Sequence, residues 1–252
     1  MMGEPLSLIL LTALAAFLVG LSKGGLPSVG TLGVPVMALM ISPVAAAALL
    51  LPIYLVTDWV GLWLYRRTYS ARNLRILIPA GLAGVLFGWA VASRVSDGFV
   101  GLLVGLVGIG FCVNTWLRHR RSAAARPADV PRGVFWGALA GFTSFVSHSG
   151  APPFQMYVLP QQLEKLAFAG TGTILFAIIN VAKIVPYWQL DSFSAIDPKL
   201  PLLVLPVGIL GTWVGAKLTR SMPEVLFFRL VQVALLLVSL KLVWDALAGG
   251  FQ

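Results

Sequence analysis

Four ionisable side chains interrupt stretches of this sequence that are otherwise apolar: Lys23, Asp58, His148 and Lys183. An ionisable group inside a membrane segment costs about 2.5 to 3.5 kcal/mol on insertion scales, so each is a candidate functional residue. Ammonium and imidazole groups can bind an anion, and imidazole and carboxylate groups can carry a proton. The candidate chemistry is therefore ion binding or proton exchange.

Lys23 stands between an apolar stretch and the pair Gly24-Gly25, and we expect it to bind an anion there. Glycines break a helix, and the freed backbone N–H groups and the start of a following half-helix favour negative charge. The alternative is a lysine whose ammonium reaches the membrane interface. Three neighbouring side chains would add hydroxyls to the site: Ser22, Ser28 and Thr31.

His148 stands at a second break, between Ser147 and Ser149 and just before Gly150. Its imidazole could donate hydrogen bonds to the oxygens of an anion, or carry a proton because imidazole titrates near neutral pH. The alternative is a core histidine whose hydrogen bonds are satisfied by the protein. We expect this segment to form the second half of the binding site.

Asn180 and Lys183 are three residues apart and therefore share one face of a helix. Asp58 has the comparable place in an earlier helix, because an offset of 122 residues takes Asp58 to Asn180 and Tyr65 to Tyr187. Both faces are expected to point inward. Three roles remain open for Asp58: an ion pair with Lys183, a proton or cation relay, or an interfacial position without a role.

The apolar content predicts an all-α polytopic membrane protein. Of the 252 residues, 58% are hydrophobic and 11% are charged, whereas soluble domains carry roughly 25% charged residues. Charge-free stretches reach the roughly 20 residues that a helix needs to cross a bilayer, without the alternation of a membrane β-strand. Eight helices are predicted, at about residues 5–22, 44–65, 74–94, 98–117, 133–147, 164–187, 200–219 and 223–247.

Two segments between these helices are apolar but rich in glycine and proline, at residues 23–43 and 148–163. Both residue types break helices. We expect the two segments to be re-entrant or discontinuous.

The chain also contains an internal repeat. One proline and three glycines recur with the same spacing at an offset of 127 residues: Pro79, Gly81, Gly84 and Gly88, then Pro206, Gly208, Gly211 and Gly215. Gly20 before the first break likewise corresponds to Gly141 before the second. These landmarks predict two pseudo-symmetric repeats, at 1–117 and 133–252, that flank a basic linker at 118–132 and function as one domain.

Loop charges predict that the two repeats are inverted. The net charge of +9 is concentrated at 66–75, with four arginines, and at 118–132, with five arginines and one aspartate. The positive-inside rule places both loops in the cytoplasm. The counterpart of the first loop carries Asp191, Asp197 and Lys199, so equivalent loops should face opposite sides, as in inverted-repeat transporters. The charge thus indicates a multi-pass protein of a bacterial inner membrane, and nucleic-acid binding is not expected.

Motifs of enzymes and cofactor sites are missing from the sequence. It has no G-x-S-x-G, H-E-x-x-H or phosphate-binding loop. The glycines at 20, 24 and 30 are not a dinucleotide fingerprint, because no strand precedes them. Two histidines and one cysteine are too few for a metal cage built from these residue types. We therefore expect no enzymatic activity, no cofactor and no metal, and any pumping must draw on an ion gradient or a partner.

Three features of the sequence resemble the sulfite exporter TauE/SafE family. The first is the glycine-rich break at 20–30, followed by Val34-Pro35, and the second is its partner at 141–150, followed by Ala-Pro-Pro. The third is the proline-glycine helix that recurs in both halves. The resemblance covers the whole chain. It implies an eight-helix, two-repeat exporter or importer of small sulfur-containing or organic anions, such as sulfite and sulfoacetate. Residues 147–150 depart from the run of glycines common in that family, so the ligand chemistry there is individual to this protein.

The leading hypothesis is a secondary transporter that exports small anions, such as sulfite or organosulfonates, by alternating access around a midplane site. A small anion and the lipid bilayer are its expected partners, and a homo-oligomer is left open. A second hypothesis is a cation- or proton-coupled transporter or channel of another substrate class, with Asp58 as the ligand. A third is a non-transporting assembly factor or receptor, in which the breaks serve only packing.

Overall fold

A computed structural model describes residues 6–92, 97–118, 125–193 and 197–248, and within these ranges the chain is helical without strands. The all-α prediction is confirmed. The helices are α1 (Leu6–Lys23), α2 (Pro27–Gly30), α3 (Gly33–Met37), α4 (Pro43–Tyr65), α5 (Ala71–Val91), α6 (Asp97–Arg118), α7 (Val130–Ser147), α8 (Ala151–Val158), α9 (Lys165–Ala182), α10 (Ile184–Gln189), α11 (Lys199–Ser221) and α12 (Glu224–Ala248), with a 3₁₀ turn at Leu159–Gln161.

The long helices lie at the predicted positions, and the chain is a multi-pass membrane protein. Six segments of the described residues are long and apolar enough to cross a membrane: Leu6–Lys23, Val44–Tyr65, Ala71–Val91, Lys165–Gln189, Lys199–Ser221 and Glu224–Ala248. The other two predicted helices are present as α6, of 22 residues, and α7, of 18 residues.

The predicted helix at 164–187 is interrupted at Lys183, between α9 and α10. Pro186 explains the interruption, because proline lacks the N–H and its ring conflicts with the carbonyl four residues earlier, here that of Ala182. The break leaves Lys183 at the end of α9, with its side chain fully buried.

Both glycine- and proline-rich segments are broken, as predicted. The first contains only α2 and α3, of 4 and 5 residues, and the second contains the 8-residue α8. At about 1.5 Å per residue, α8 rises about 12 Å, well short of the roughly 30 Å of a bilayer core. All eight residues of α8 are buried. Irregular backbone is tolerated at membrane depth where protein surrounds it, which is the arrangement here.

The two predicted repeats interlock through their glycines. Helix α1 packs along α11, and α5 packs along α7. A Cβ atom on Gly20 would overlap the carbonyl oxygen of Gly208, and one on Gly141 would overlap that of Gly81. Such close backbone approach requires small residues. Gly20 corresponds to Gly141 and Gly81 to Gly208 in the repeat, so the first helix of each half packs on the third helix of the other.

The described parts of the two basic loops lie at the same end of the molecule. Arg72 Nε donates a 2.9 Å hydrogen bond to the carbonyl oxygen of Ala128. This contact agrees with one cytoplasmic side for both loops, which stays a prediction, as do the repeat boundaries and their inverted orientation. Residues 119–124 of the linker and the predicted end of the third helix near Arg94 lie outside the described residues.

Candidate anion site between the two broken segments

A small cavity lies where α1, α2, α4, α7 and α9 meet. Its volume is about 30 Å³. Its polar lining combines both breaks with the middle of α4 and α9: Ser22, Lys23, Thr31, Tyr54, Ser144, His148, Thr173 and Asn180.

Lys23, the last residue of α1, forms a buried ion pair with Asp58 of α4. Lys23 Nζ lies 2.7 Å from Asp58 Oδ1, and both side chains are about 95% buried. This short contact is an ion pair. The ammonium has no other hydrogen-bond partner among the described residues, and its nitrogen lies 4.9 and 5.9 Å from the ring centroids of Tyr54 and Phe176. Lys23 therefore retains donors for a ligand.

Asp58 does not pair with Lys183, so the first of its three open roles is wrong. The second carboxylate oxygen of Asp58 accepts a 2.7 Å hydrogen bond from Asn180 Nδ2. Asn180 of α9 contacts α4, whereas Lys183, just after the end of α9, contacts the end of α7. The positive charge of Lys23 balances the negative charge of the buried Asp58, so the pair is neutral overall.

Lys183 is bound by the end of α7. Its Nζ donates to the carbonyl oxygen of Ser144 at 2.9 Å and to Ser144 Oγ at 3.1 Å, and it contacts His148 Nδ1 at 2.9 Å. The last carbonyls of a helix lack partners within the helix and carry partial negative charge, so they favour a cation. No carboxylate lies within 4 Å of Lys183 in the part of the chain that the structure describes.

His148 ends α7 in a left-handed conformation, with φ of 54°. Such a conformation costs a residue with a Cβ roughly 1 to 2 kcal/mol, and glycine is its usual occupant. The imidazole is held on one face and at both nitrogens. It stacks on Tyr54 with 4.6 Å between ring centroids, Nε2 lies 3.0 Å from the carbonyl oxygen of Ala47, and Nδ1 lies 2.9 Å from Lys183 Nζ. The strained backbone and these contacts together fix the position of the His148 imidazole.

These contacts assign the tautomer of His148. The carbonyl oxygen of Ala47 can only accept, so Nε2 carries the hydrogen, and Nδ1 is left with the lone pair that accepts from Lys183. His148 is therefore neutral in this arrangement. With Lys183 protonated, the cluster of Lys23, Asp58, His148 and Lys183 carries one uncompensated positive charge.

Side-chain hydroxyls cap the carbonyls that the breaks leave free. Tyr65 Oη donates to the carbonyl oxygen of Gly24 at 2.5 Å, and Tyr187 Oη donates to that of Phe145 at 2.7 Å. The tyrosines are the corresponding residues of the repeat, and their acceptors lie at the ends of α1 and α7. Thr219 Oγ1 adds a second bond to Gly24, at 3.1 Å. These bonds satisfy one exposed carbonyl at the end of each helix inside the protein.

The expectation that free N–H groups at Gly24 and Gly25 bind the anion is wrong. The Gly24 N–H donates to the carbonyl of Gly20 and the Gly25 N–H to that of Ser22, so both are already bonded. Neither glycine lines the cavity. Gly25 is nonetheless needed as glycine, since its φ is 120°.

The remaining predicted site residues lie beside the cavity or behind it. Ser22 and Thr31 line it, whereas Ser28 is buried and accepts a 2.6 Å hydrogen bond from Gln155 Nε2, which joins the two broken segments. The other four predicted positions are not part of the lining: Ser147, Ser149, Gly150 and Lys183. Ser147 and Ser149 contact each other at 3.1 Å.

Among the lining residues that the sequence prediction missed are Tyr54, Thr173 and Phe176. One signal could have found two of them. The offset of 122 that relates Asp58 to Asn180 also relates Tyr54 to Phe176, and both rings cover Lys23. Thr173 Oγ1 donates to the carbonyl oxygen of Lys23 at 3.2 Å, a contact that no spacing indicates.

A comparison with known protein families decides the assignment. The model of the family described as Sulfite exporter TauE/SafE matches residues 12–242, nearly the whole chain. The chain belongs to this family. None of the curated proteins or solved structures compared with it matches.

Membership in the TauE/SafE family makes the chain a membrane transporter of sulfite- or sulfonate-type anions as a class. The match includes both breaks and every residue of the cavity lining. Within the described residues no three His, Cys, Asp or Glu side chains come together as a metal site. In this TauE/SafE protein, the groups available to hold a ligand are instead an ammonium, an amide and hydroxyls.

Proposed function

We propose that this protein is a secondary transporter that exports a small anion, such as sulfite or an organosulfonate, through the cavity between its two broken segments. The observation that carries the proposal is the buried ammonium of Lys23, which lines a polar cavity and keeps donors that no described residue uses. A buried charged group with incomplete hydrogen bonding is costly. An anion in the cavity would accept those hydrogen bonds.

Lys23 is the main residue that would bind the anion. Its ammonium lines the cavity and keeps unused donors. The nearby hydroxyls of Ser22 and Thr31 donate to backbone carbonyls, at 2.7 and 2.6 Å, and would have to rotate to reach a ligand. The amide of Asn180 uses one hydrogen for Asp58 and has a second one for the cavity. The charge of Lys23 thus attracts the anion, and the amide and the hydroxyls donate hydrogen bonds to its oxygens.

The packing suggests how access could alternate. Helices α1 and α11 form one glycine-locked pair that carries the first break, and α5 and α7 form another that carries the second. Tight backbone contact makes each pair stiff, and the ligand site lies between the pairs. Rocking one pair against the other would widen the cavity first to one side and then to the other, as in other transporters with paired broken helices.

The cation hypothesis loses its motivation, because both oxygens of Asp58 are engaged by Lys23 and Asn180. An ion that used Asp58 would first have to displace a buried ammonium. No contact in the described residues favours that exchange.

Sulfite efflux from proteoliposomes tests the proposal, with Lys23→Met as the site variant and the exposed Lys217→Met as its control. Methionine keeps the length of lysine without its charge. We expect efflux by the wild type and the control, and a loss of about tenfold or more for Lys23→Met, since hydrogen bonds to a charged group contribute about 1.5 to 3 kcal/mol. Wild-type flux of neither sulfite nor a sulfonate above that of empty liposomes would overturn the function, and unchanged flux in Lys23→Met would overturn the site.

A further inference from the structure

Lys183 lies behind the cavity, and the roles described so far do not use it. Its side chain has no exposed surface and does not line the cavity, yet its contacts, Ser144 and His148, both do. All three hydrogens of its ammonium are used, by the carbonyl oxygen of Ser144, Ser144 Oγ and His148 Nδ1. Unlike Lys23, it has no donor left for a ligand.

The same three contacts can be satisfied with Lys183 neutral. An amine has two hydrogens and one lone pair. The hydrogens then go to the carbonyl oxygen of Ser144 and to His148 Nδ1, and the Ser144 hydroxyl turns to donate to the lone pair of Lys183. In the neutral state every group of the network keeps its partners, and in the charged state only the Ser144 hydroxyl hydrogen is left without an acceptor among the described residues. A ligand in the cavity that accepts this hydrogen lets the network hold the proton without the cost of an unpaired group.

The direction of the Ser144 hydroxyl hydrogen depends on whether Lys183 is protonated. When Lys183 is charged, Ser144 Oγ accepts from it, and its own hydrogen has no acceptor among the described residues. Because Ser144 lines the cavity, this hydrogen is available to a ligand there. When Lys183 is neutral, the hydrogen points to Lys183 and is withdrawn.

We infer that Lys183, Ser144 and His148 form a proton site that is filled when an anion occupies the cavity, so that one proton moves with each monovalent anion. This inference rests on the proposed function and names its coupling ion. A proton from the solution reaches Ser144 Oγ through water in the cavity as the hydroxyl hydrogen moves to Lys183 Nζ, and the reverse transfer returns it to the solution. Nothing is oxidised or reduced.

Charge explains why the proton and the anion bind together. The charged groups that act on Lys183 are Lys23 of α1 and Asp58 of α4, which neutralise each other, and the titratable rings around His148 are those of Tyr54 and Tyr187. A proton on Lys183 alone leaves a buried net charge, and so does an anion alone in the cavity. Together they are neutral, and linkage requires each to raise the affinity for the other equally. An outward anion gradient then carries the proton out with the anion.

Proton uptake during binding tests the inference. The purified protein in detergent is titrated with methanesulfonate, a monovalent anion that does not itself titrate near neutral pH, in a weak buffer with a pH-sensitive dye. We expect about one proton taken up per anion bound by the wild type and by Lys217→Met, and none by Lys183→Met. Binding by the wild type without proton uptake overturns the inference and leaves the proposed function intact. Methanesulfonate that does not bind also overturns it, while sulfite efflux tests the function separately.

A second measurement needs no variant, in case Lys183→Met does not fold. In wild-type proteoliposomes, an alkaline interior without membrane potential should drive methanesulfonate uptake, and a potential alone should not. Uptake that follows the potential and ignores the pH gradient contradicts a neutral proton-anion pair.

Discussion

Asp58 Oδ2 accepts a 2.7 Å hydrogen bond from Asn180 Nδ2, and these residues hold corresponding places in the two halves of the protein. Lys23 completes the cluster at 2.7 Å from Asp58 Oδ1. An aspartate in one half and an amide in the other thus meet at the centre of the molecule. The carboxylate of Asp58 is the only acidic group of the cluster among the described residues. Its removal should therefore leave the charge of Lys23 without a counter-ion.

Asp58→Asn should destabilise the protein strongly, because it leaves the Lys23 ammonium buried without a counter-ion. Breaking such a pair costs about 3 to 5 kcal/mol. Thermal unfolding in detergent measures the loss, and the exposed pair Lys241–Asp245 gives the control Asp245→Asn, which should change stability by about 1 kcal/mol or less. Adding Lys23→Met to Asp58→Asn should restore much of the stability without restoring transport. A double variant no more stable than Asp58→Asn would show that the two residues do not act as a pair.

His148→Gly should preserve folding and reduce transport. Glycine relieves the left-handed backbone at φ of 54° but removes the acceptor of Lys183 and the ring on Tyr54. We expect an anion flux lower by about tenfold or more. Gln162→Gly is the matched control, since Gln162 has φ of 53° and its exposed side chain lies away from the cavity. Equal flux in both variants would mean that His148 serves the backbone only.

Gly141→Ala should disrupt the contact between α5 and α7, because the new Cβ would overlap the carbonyl oxygen of Gly81. Overpacking costs about 1 to 3 kcal/mol or more, and backbone cannot move aside as a flexible side chain can. Gly110→Ala is the control, since a Cβ there meets nothing within 4 Å. Melting temperatures of the two variants decide the matter, and a Gly141→Ala protein as stable as Gly110→Ala would contradict the close packing.

Tyr187→Phe should cost about 1 to 3 kcal/mol, the penalty of leaving a buried acceptor unpaired. The carbonyl oxygen of Phe145 would lose its 2.7 Å bond. Tyr65→Phe should cost less, because Thr219 still donates to the carbonyl of Gly24. The exposed Tyr69→Phe should have almost no effect. Unfolding free energies in the reverse order, with Tyr65→Phe the most destabilised, would contradict the capping role.

The predicted orientation can be checked by thiol labelling, because Cys112 is the one cysteine of the sequence and its replacement by serine leaves a background without thiols. In intact cells, an impermeant reagent should label Asp197→Cys and spare Arg67→Cys, both of which are exposed positions. The reason is the positive-inside rule, applied to the basic loop at 66–75. Labelling of Arg67→Cys from outside would reverse the orientation.

The sequence alone determined the membrane class, the long helices and the two breaks. These follow from requirements that act locally: a bilayer needs about 20 apolar residues per helix, and glycine and proline cannot continue one. The boundaries were less accurate, since α5 and α7 begin three residues early at the capping residues Ser70 and Asp129. The interruption at Lys183 also has a local cause, Pro186, which the hydropathy pattern concealed.

The sequence also found the charged residues of the site, because an ionisable group in an apolar stretch is costly wherever it lies. Only the tertiary structure decided which of them meet. An ion pair with Lys183 was one of three roles left open for Asp58, but the structure pairs Asp58 with Lys23 and Asn180, and Lys183 with His148. These contacts join helices that are distant in the sequence and are set by the packing of those helices. Partners in a buried cluster therefore depend on the fold, whereas the cost of placing each charge there does not.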